Sequence, residues 1–207
     1  GSRVTACTIE MADYDENYDI AVIDEAQLVA DVDRGHSWTK AILGLRAKEI
    51  HICMSPAAEE VVTHLIALCE DTFEVRHYER KTALVCEQEA FVFPDDVTEG
   101  DALITFTKRA VLDIAGRLER EGIRASVIYG SLPPEIRRRQ IRLFLSHETK
   151  VVVSTDAIGM GLNLPVRRIV FIQTEKYDGI STRPLNIPEI RQIAGRAGRF
   201  GMYDTGY

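Results

Sequence analysis

Cysteine is sparse and forms no recognisable framework. Cys7, Cys53, Cys69 and Cys86 make no C-x-x-C pair and no zinc-type spacing. Each sits in or near an apolar run, where a free thiol behaves as a small hydrophobe, so a disulfide scaffold and a zinc module are excluded and a reducing, intracellular location is expected. No apolar run approaches the roughly 20 residues needed to cross a bilayer, and the N-terminal residues carry no signal-peptide pattern; no membrane contact is expected. A basic excess is missing as well. With 25 Lys and Arg against 32 Asp and Glu, the net charge of −7 excludes attachment to nucleic acid through a generally basic surface, but leaves room for a narrow basic groove. There is no low-complexity segment and no repeat of solenoid period. His36, His51, His64, His77 and His147 show no metal-ligand spacing, and the one tryptophan, Trp38, reads as a core anchor at a helix start.

What the 207 residues do contain is a regular alternation. Short β-branched runs at Ile20–Ile23, Ile50–Met54, Phe73–Tyr78, Ala102–Phe106, Ala125–Tyr129, Val151–Ser154 and Arg168–Ile172 read as strands. Helical patterns lie between them near Trp38–Ala47, Ala57–Glu70, Lys108–Glu121, Glu135–Leu145 and Glu189–Arg199. Ser55 is a good N-cap with Pro56 behind it, and Glu59 and Glu60 suit the dipole of a first turn. Nearly all-apolar strands in a β-α-β-α order imply a mainly parallel sheet covered on both faces. The register changes at the charged stretch Glu79-Arg80-Lys81-Thr82, so a boundary is expected near residue 80, with a part-domain before it and a fuller α/β unit after it.

Three segments carry chemistry. Ile20-Ala21-Val22-Ile23-Asp24-Glu25-Ala26-Gln27 puts two adjacent carboxylates where a buried strand runs out. Ligands of open parallel sheets gather at such carboxyl ends. A strand ending in Asp holds Mg2+ on nucleotide phosphates in ATPases, and a neighbouring Glu can take a proton from water; a solvated turn after a core strand fits the same residues. Val151-Val152-Val153-Ser154-Thr155, followed by the glycine-punctuated Asp156 to Pro165, offers hydroxyl and backbone N–H donors for a phosphate, or simply glycines that end a short helix. In Gln192-Ile193-Ala194-Gly195-Arg196-Ala197-Gly198-Arg199, a helix would place Gln192, Arg196 and Arg199 on one stripe. Gly195 and Gly198 each cost about 1 kcal/mol of helix stability, which suggests that something approaches closely, and guanidinium groups fork onto phosphate oxygens. The run Arg137, Arg138, Arg139, Arg142 reads mainly as a solvated basic helix face, opposite in sign to the acidic patch Asp13, Asp15, Glu16, Asp19.

Together these segments resemble the superfamily-two helicase motors. Asp24-Glu25-Ala26-Gln27 looks like motif II, Ser154 to Pro165 like motif V, and Gln192 to Arg199 like motif VI with its arginine fingers. The likeness is greatest to the Suv-three-type RNA helicases, through Ala6-Cys7-Thr8-Ile9-Glu10-Met11, Val127 to Pro134, Asp156 to Leu164, and Gln192 to Phe200. The resemblance implies tandem RecA-like parallel-sheet domains, the first incomplete: residues 1–79 as the C-terminal half of domain one and 80–207 as domain two. It implies ATP and Mg2+ as cofactors, with Asp24 holding the metal, Glu25 deprotonating water, and Gln27 coupling the nucleotide to the second domain. Gln192 would place water or the γ-phosphate, Arg196 and Arg199 would stabilise the transition state, and Gly159, Gly161 and Asn163 would contribute to the nucleotide site. Thr8, Glu10, Thr105, Tyr129, Gly130 and Thr155 would line an RNA track for a single strand or tailed duplex. Ser55-Pro56-Ala57 occupies the place of motif III but departs from the usual Ser-Ala-Thr form. A role in RNA degradation, an exoribonuclease partner, and a bacterial cytoplasmic or mitochondrial matrix location are further implications.

One part of such a motor is missing. The phosphate-gripping G-x-x-x-x-G-K-[ST] loop has no match, and the chain contains no Gly-Lys dipeptide. A fragment is therefore expected, whose parent hydrolyses ATP while the fragment alone turns over negligibly. A DNA helicase of the same superfamily and a non-catalytic nucleic-acid-binding scaffold are the alternatives; the retained Asp24-Glu25 and Arg196-Arg199 pairs speak against the scaffold.

Overall fold

The computed structural model describes residues 4–159, 164–199 and 201–207. The chain divides into two compact units, residues 1–77 and 78–207.

In the first unit, β1 (Asn17–Ile23) leads through a short 3-10 turn to α1 (Gly35–Gly44), then β2 (Arg46–Ile52) and, after a second 3-10 turn, α2 (Glu59–Leu68). β1 and β2 pair in parallel, Ile23 opposite Ile52. Ile23, Trp38, Ala41, Ile42 and Val62 form the core, each 6% exposed or less. Burying a side chain of this size contributes about 1.5–3 kcal/mol. The expectation of a sheet covered on both faces fails here. Ile20 and Val22, on the other face of β1, are 59% and 65% exposed. The expected strand at Phe73–Tyr78 is also not formed. Strand backbone needs a ladder partner, and among the described residues this segment has none in any sheet. Ser55 precedes the turn Pro56–Ala58, but its side chain makes no capping hydrogen bond, and α2 proper starts at Glu59.

The second unit begins with the short β3 (Ala83–Leu84), followed by β4 (Asp101–Ile104), α3 (Lys108–Arg120), β5 (Ala125–Ile128), α4 (Pro134–Leu145), β6 (Val151–Ser154) and β7 (Arg168–Phe171). These last four strands make a parallel sheet in the order β5-β6-β4-β7. The sheet is covered on both faces, as the sequence implied. Ala102, Ile104 and Val152 face Ile141 and Phe144 of α4, while Leu103, Val151 and Val153 face Val111, Ile114 and Leu118 of α3. Period-two alternation within an all-apolar strand thus feeds two cores. Buried Asp101 anchors one end of the sheet. Its carboxylate accepts from the Arg168 guanidinium at 3.0 and 2.7 Å, and Arg168 also reaches Glu87 at 3.0 Å and the Asp96 carbonyl at 2.6 Å.

After β7 comes an antiparallel hairpin of β8 (Glu175–Tyr177) and β9 (Thr182–Pro184), which the sequence did not announce. Then follow α5 (Ile187–Ala194), which starts two residues before the expected helix and stops five short of its end, and β10 (Thr205–Gly206), also unannounced, which pairs in parallel with β3.

Candidate functional site

The acidic pair sits at the carboxyl end of β1. The ladder continues one step past the strand, with the Cys53 N–H donating to the Ile23 carbonyl (2.8 Å) and the Ala26 N–H to the Cys53 carbonyl (2.9 Å). Asp24 is held in that step by the Trp38 indole N–H, which donates to its carbonyl at 3.0 Å. Trp38 is therefore the expected core anchor and also a backbone anchor for the carboxylate. The Asp24 side chain is exposed, and its Oδ1 accepts from the Glu25 N–H at 2.9 Å.

Glu25 has φ of 54°, left-handed backbone in a residue with a side chain. Such a conformation costs about 1–3 kcal/mol and persists only where surroundings enforce it. Here Gln27 enforces it. Its Nε2 donates to the Glu25 carboxylate, while its Oε1 accepts from the Ser55 N–H at 3.1 Å. The amide thereby joins the carboxylate to the segment Ser55-Pro56-Ala57, which stands in the place of motif III.

In the second unit, Thr105, Tyr129, Gly130 and Thr155 come together where β4, β5 and β6 end. The Thr105 N–H donates to the Ser154 carbonyl (2.9 Å) and the Thr155 N–H to the Ile128 carbonyl (3.0 Å). Thr105 is fully buried, and its hydroxyl finds no partner among the described residues. Thr155 Oγ1 accepts from the Ala157 N–H at 3.3 Å, leaving its own proton available to donate. Arg137 reaches back to the Tyr129 and Gly130 carbonyls (3.4 and 2.9 Å), and Lys108 lies over the Tyr129 ring, 5.3 Å from its centroid. Arg138, Arg139 and Arg142 remain exposed on α4. Thr8 and Glu10 lie in the first unit, both exposed. Arg34 engages the Glu10 carboxylate at 2.9 and 2.6 Å and lowers its pKa.

The arginine segment departs from expectation. α5 stops at Ala194, so Arg196 and Arg199 leave from a turn, and no single helical stripe holds them with Gln192. Gly195 caps the helix, and Gly198 turns the chain beyond it. Its φ is +68°, and a Cβ there would lie 2.5 Å from the Gly206 nitrogen. The close approach that the glycines suggested is made by the chain's own β10. Gly159 is buried beside this turn, with Gln192 Cγ at 3.5 Å from where its Cβ would stand, and its carbonyl accepts from the Arg196 guanidinium. Gly161 and Asn163 lie outside the described residues.

One network went unread in the sequence. Glu189 accepts from both Arg183 nitrogens (2.9 and 2.9 Å), pairs with Lys176 at 2.6 Å, and closes a capping box with Asn186. Arg183, then Lys176, hold its carboxyl down to a pKa of about 2. Lys176 also reaches Asp156 at 3.6 Å, so the hairpin is tied to α5 and to the turn after β6. The signal was present: Asn186-Ile187-Pro188-Glu189 has the capping-box spacing.

Two family models match this arrangement. Residues 1–78 match the DEXQ-box helicase domain of Suv3, and residues 81–201 the helicase conserved C-terminal domain. The chain belongs to the helicases with this conserved C-terminal domain, and its first 78 residues match the Suv3 type. The Gln of the DEXQ name falls at Gln27, the residue that bridges Glu25 and Ser55. Among curated relatives, a mitochondrial DExH-box ATP-dependent RNA helicase of Arabidopsis thaliana is 44% identical over 95% of the chain and 26% of its own length. The mitochondrial SUV3 of Saccharomyces cerevisiae is 38% identical over 95% and 27%, and human mitochondrial SUPV3L1 40% identical over 94% and 26%. The chain thus spans about a quarter of these relatives' length. Among solved structures, S. cerevisiae Dbp5 bound to RNA and ADP BeF3 superposes with a TM-score of 0.59 at 19% identity, over 91% of this chain and 52% of that one, which establishes the fold.

Proposed function

We propose that this chain is part of an ATP-dependent RNA helicase motor, with residues 1–79 supplying the later half of a first RecA-like domain and residues 80–207 a second. The observation that carries the reading is the Glu25–Gln27–Ser55 chain of hydrogen bonds at the end of β1: a base held in an unfavourable backbone conformation and wired to a second segment. Curated relatives named as mitochondrial ATP-dependent RNA helicases support RNA over DNA, and a mitochondrial over a bacterial setting. RNA turnover with an exoribonuclease partner accords with that setting.

In this reading each unit contributes residues to one reaction. Asp24, exposed at the strand end, would hold Mg2+ through its water shell. Among the described residues no group of three or more His, Cys, Asp or Glu could hold a metal alone, which fits an ion bound by one or two carboxylates plus substrate phosphates. The ion would neutralise charge on the triphosphate. Glu25 accepts the proton of the attacking water, its position fixed by Gln27. Gln192 orients the water or γ-phosphate; Arg196 and Arg199 donate to the oxygens that gain charge. Thr8, Glu10, Tyr129, Gly130 and Thr155 line the RNA track, Arg34 screening the Glu10 charge from phosphate, while Thr105, expected on the track, is fully buried and supports it from beneath.

Glu25→Gln in the full-length helicase tests this. RNA-stimulated hydrolysis should fall by about 10²–10⁴-fold, the range of a general base, with ATP binding retained. Undiminished turnover refutes the assignment.

A further inference from the structure

The turn at residues 195–199 is enclosed by the rest of its unit on three sides. Towards the sheet, Ala197 bridges to Val166, and the Gly198 N–H donates to the Val166 carbonyl at 2.9 Å. On a second side lies the backbone of Gly206 in β10. The third side is closed by the stretch that opens the unit. Thr82 is 3% exposed, with Cγ2 2.8 Å from where a Gly198 Cβ would stand. Arg80 spreads its guanidinium over three carbonyls: Nε to Thr82 (2.8 Å), Nη1 to Gly195 (2.8 Å) and Nη2 to Ala197. The last carbonyls of a helix lack intrahelical donors, and a cation there is favoured by the helix dipole. A planar fork satisfies several at once in a fixed geometry, which the point charge of lysine cannot do.

We propose that Arg80 is a positioning residue for the arginines of motif VI. It touches neither Arg196 nor Arg199 through these bonds; it fixes the backbone from which both depart. It also stands two residues after Tyr78, where the second unit begins, so the setting of the arginine turn is tied to the segment that connects the units. The inference rests on the reading of Arg196 and Arg199 as transition-state donors.

The test compares Arg80→Ala, Arg80→Lys and Arg196→Ala in the full-length helicase. Arg80→Ala should lower the kcat of RNA-stimulated hydrolysis by about 10²-fold, the cost of a small misplacement of catalytic groups, with KM for ATP and RNA affinity unchanged. Arg80→Lys should recover little of the loss. Hydrogen exchange followed by mass spectrometry should quicken at residues 195–199 in both variants, while β4 to β7 keep their protection. Wild-type turnover in Arg80→Ala beside a crippled Arg196→Ala overturns the proposal alone. Exchange that rises across the whole sheet also overturns it, by showing a general structural role. Wild-type turnover in Arg196→Ala overturns the functional reading and this proposal together.

Discussion

Glu25 and Gly198 both occupy left-handed backbone, at φ 54° and +68°, but for different reasons. Gly198 needs it to turn the chain beneath β10, where no side chain fits. Gly198→Ala adds about 1–2 kcal/mol of backbone cost and about 1–3 kcal/mol of overpacking. Urea denaturation should show a loss of at least about 2 kcal/mol, and an unchanged midpoint contradicts the packing described. Glu25 takes the conformation with a side chain attached, held by Gln27 and by its own N–H on Asp24. The residue pattern disclosed both positions as special without disclosing why. Adjacent carboxylates after an apolar strand pointed to chemistry at Asp24 and Glu25, whereas the glycines of Gln192–Arg199 pointed to a ligand where the structure has a neighbouring strand. A glycine records that something is close, and cannot record what.

At the scale of elements, α5 is fastened at its start by the Glu189 capping box and ion pairs. The Glu189 carboxyl, lowered from 4.5 to about 2 by Arg183 and Lys176, is more acidic folded than unfolded. Its contribution to stability is fully present above pH 4.5 and is lost as the pH falls through about 2. Glu189→Gln should therefore lower Tm at neutral pH by an amount that shrinks to nothing towards pH 2, read by thermal melts across that range; a constant offset denies the ion pairs their role. Strands β4, β5, β6 and β7 were legible because short, nearly all-apolar runs between helical patterns suit a sheet covered on both sides. Phe73–Tyr78 was misread from a different cue. Its alternation favours a strand, but a strand exists only with a partner, and partnership is not a local property. β3, β8, β9 and β10, two or three residues long, are too short to show any period.

On the scale of the whole chain, the proposed function draws on residues of both units. Asp24, Glu25 and Gln27 lie in the first unit, Gln192, Arg196 and Arg199 in the second. No G-x-x-x-x-G-K-[ST] loop accompanies them, so nothing in the chain cradles a triphosphate as that loop does. The isolated chain should hydrolyse ATP no faster than a buffer blank, with or without RNA, in a phosphate-release assay; RNA-stimulated turnover contradicts the division of labour.

The Glu189 network also constrains how this region can vary. One carboxylate closes the cap of α5, pairs with both Arg183 and Lys176, and through Lys176 meets Asp156. No one of these charges can change sign without stranding the others. The hairpin and the helix that precedes the arginine turn are therefore bound to drift as a set. Across homologues, an acid lost at 189 should be accompanied by cations lost at 176 and 183, while the exposed arginines of α4 come and go independently.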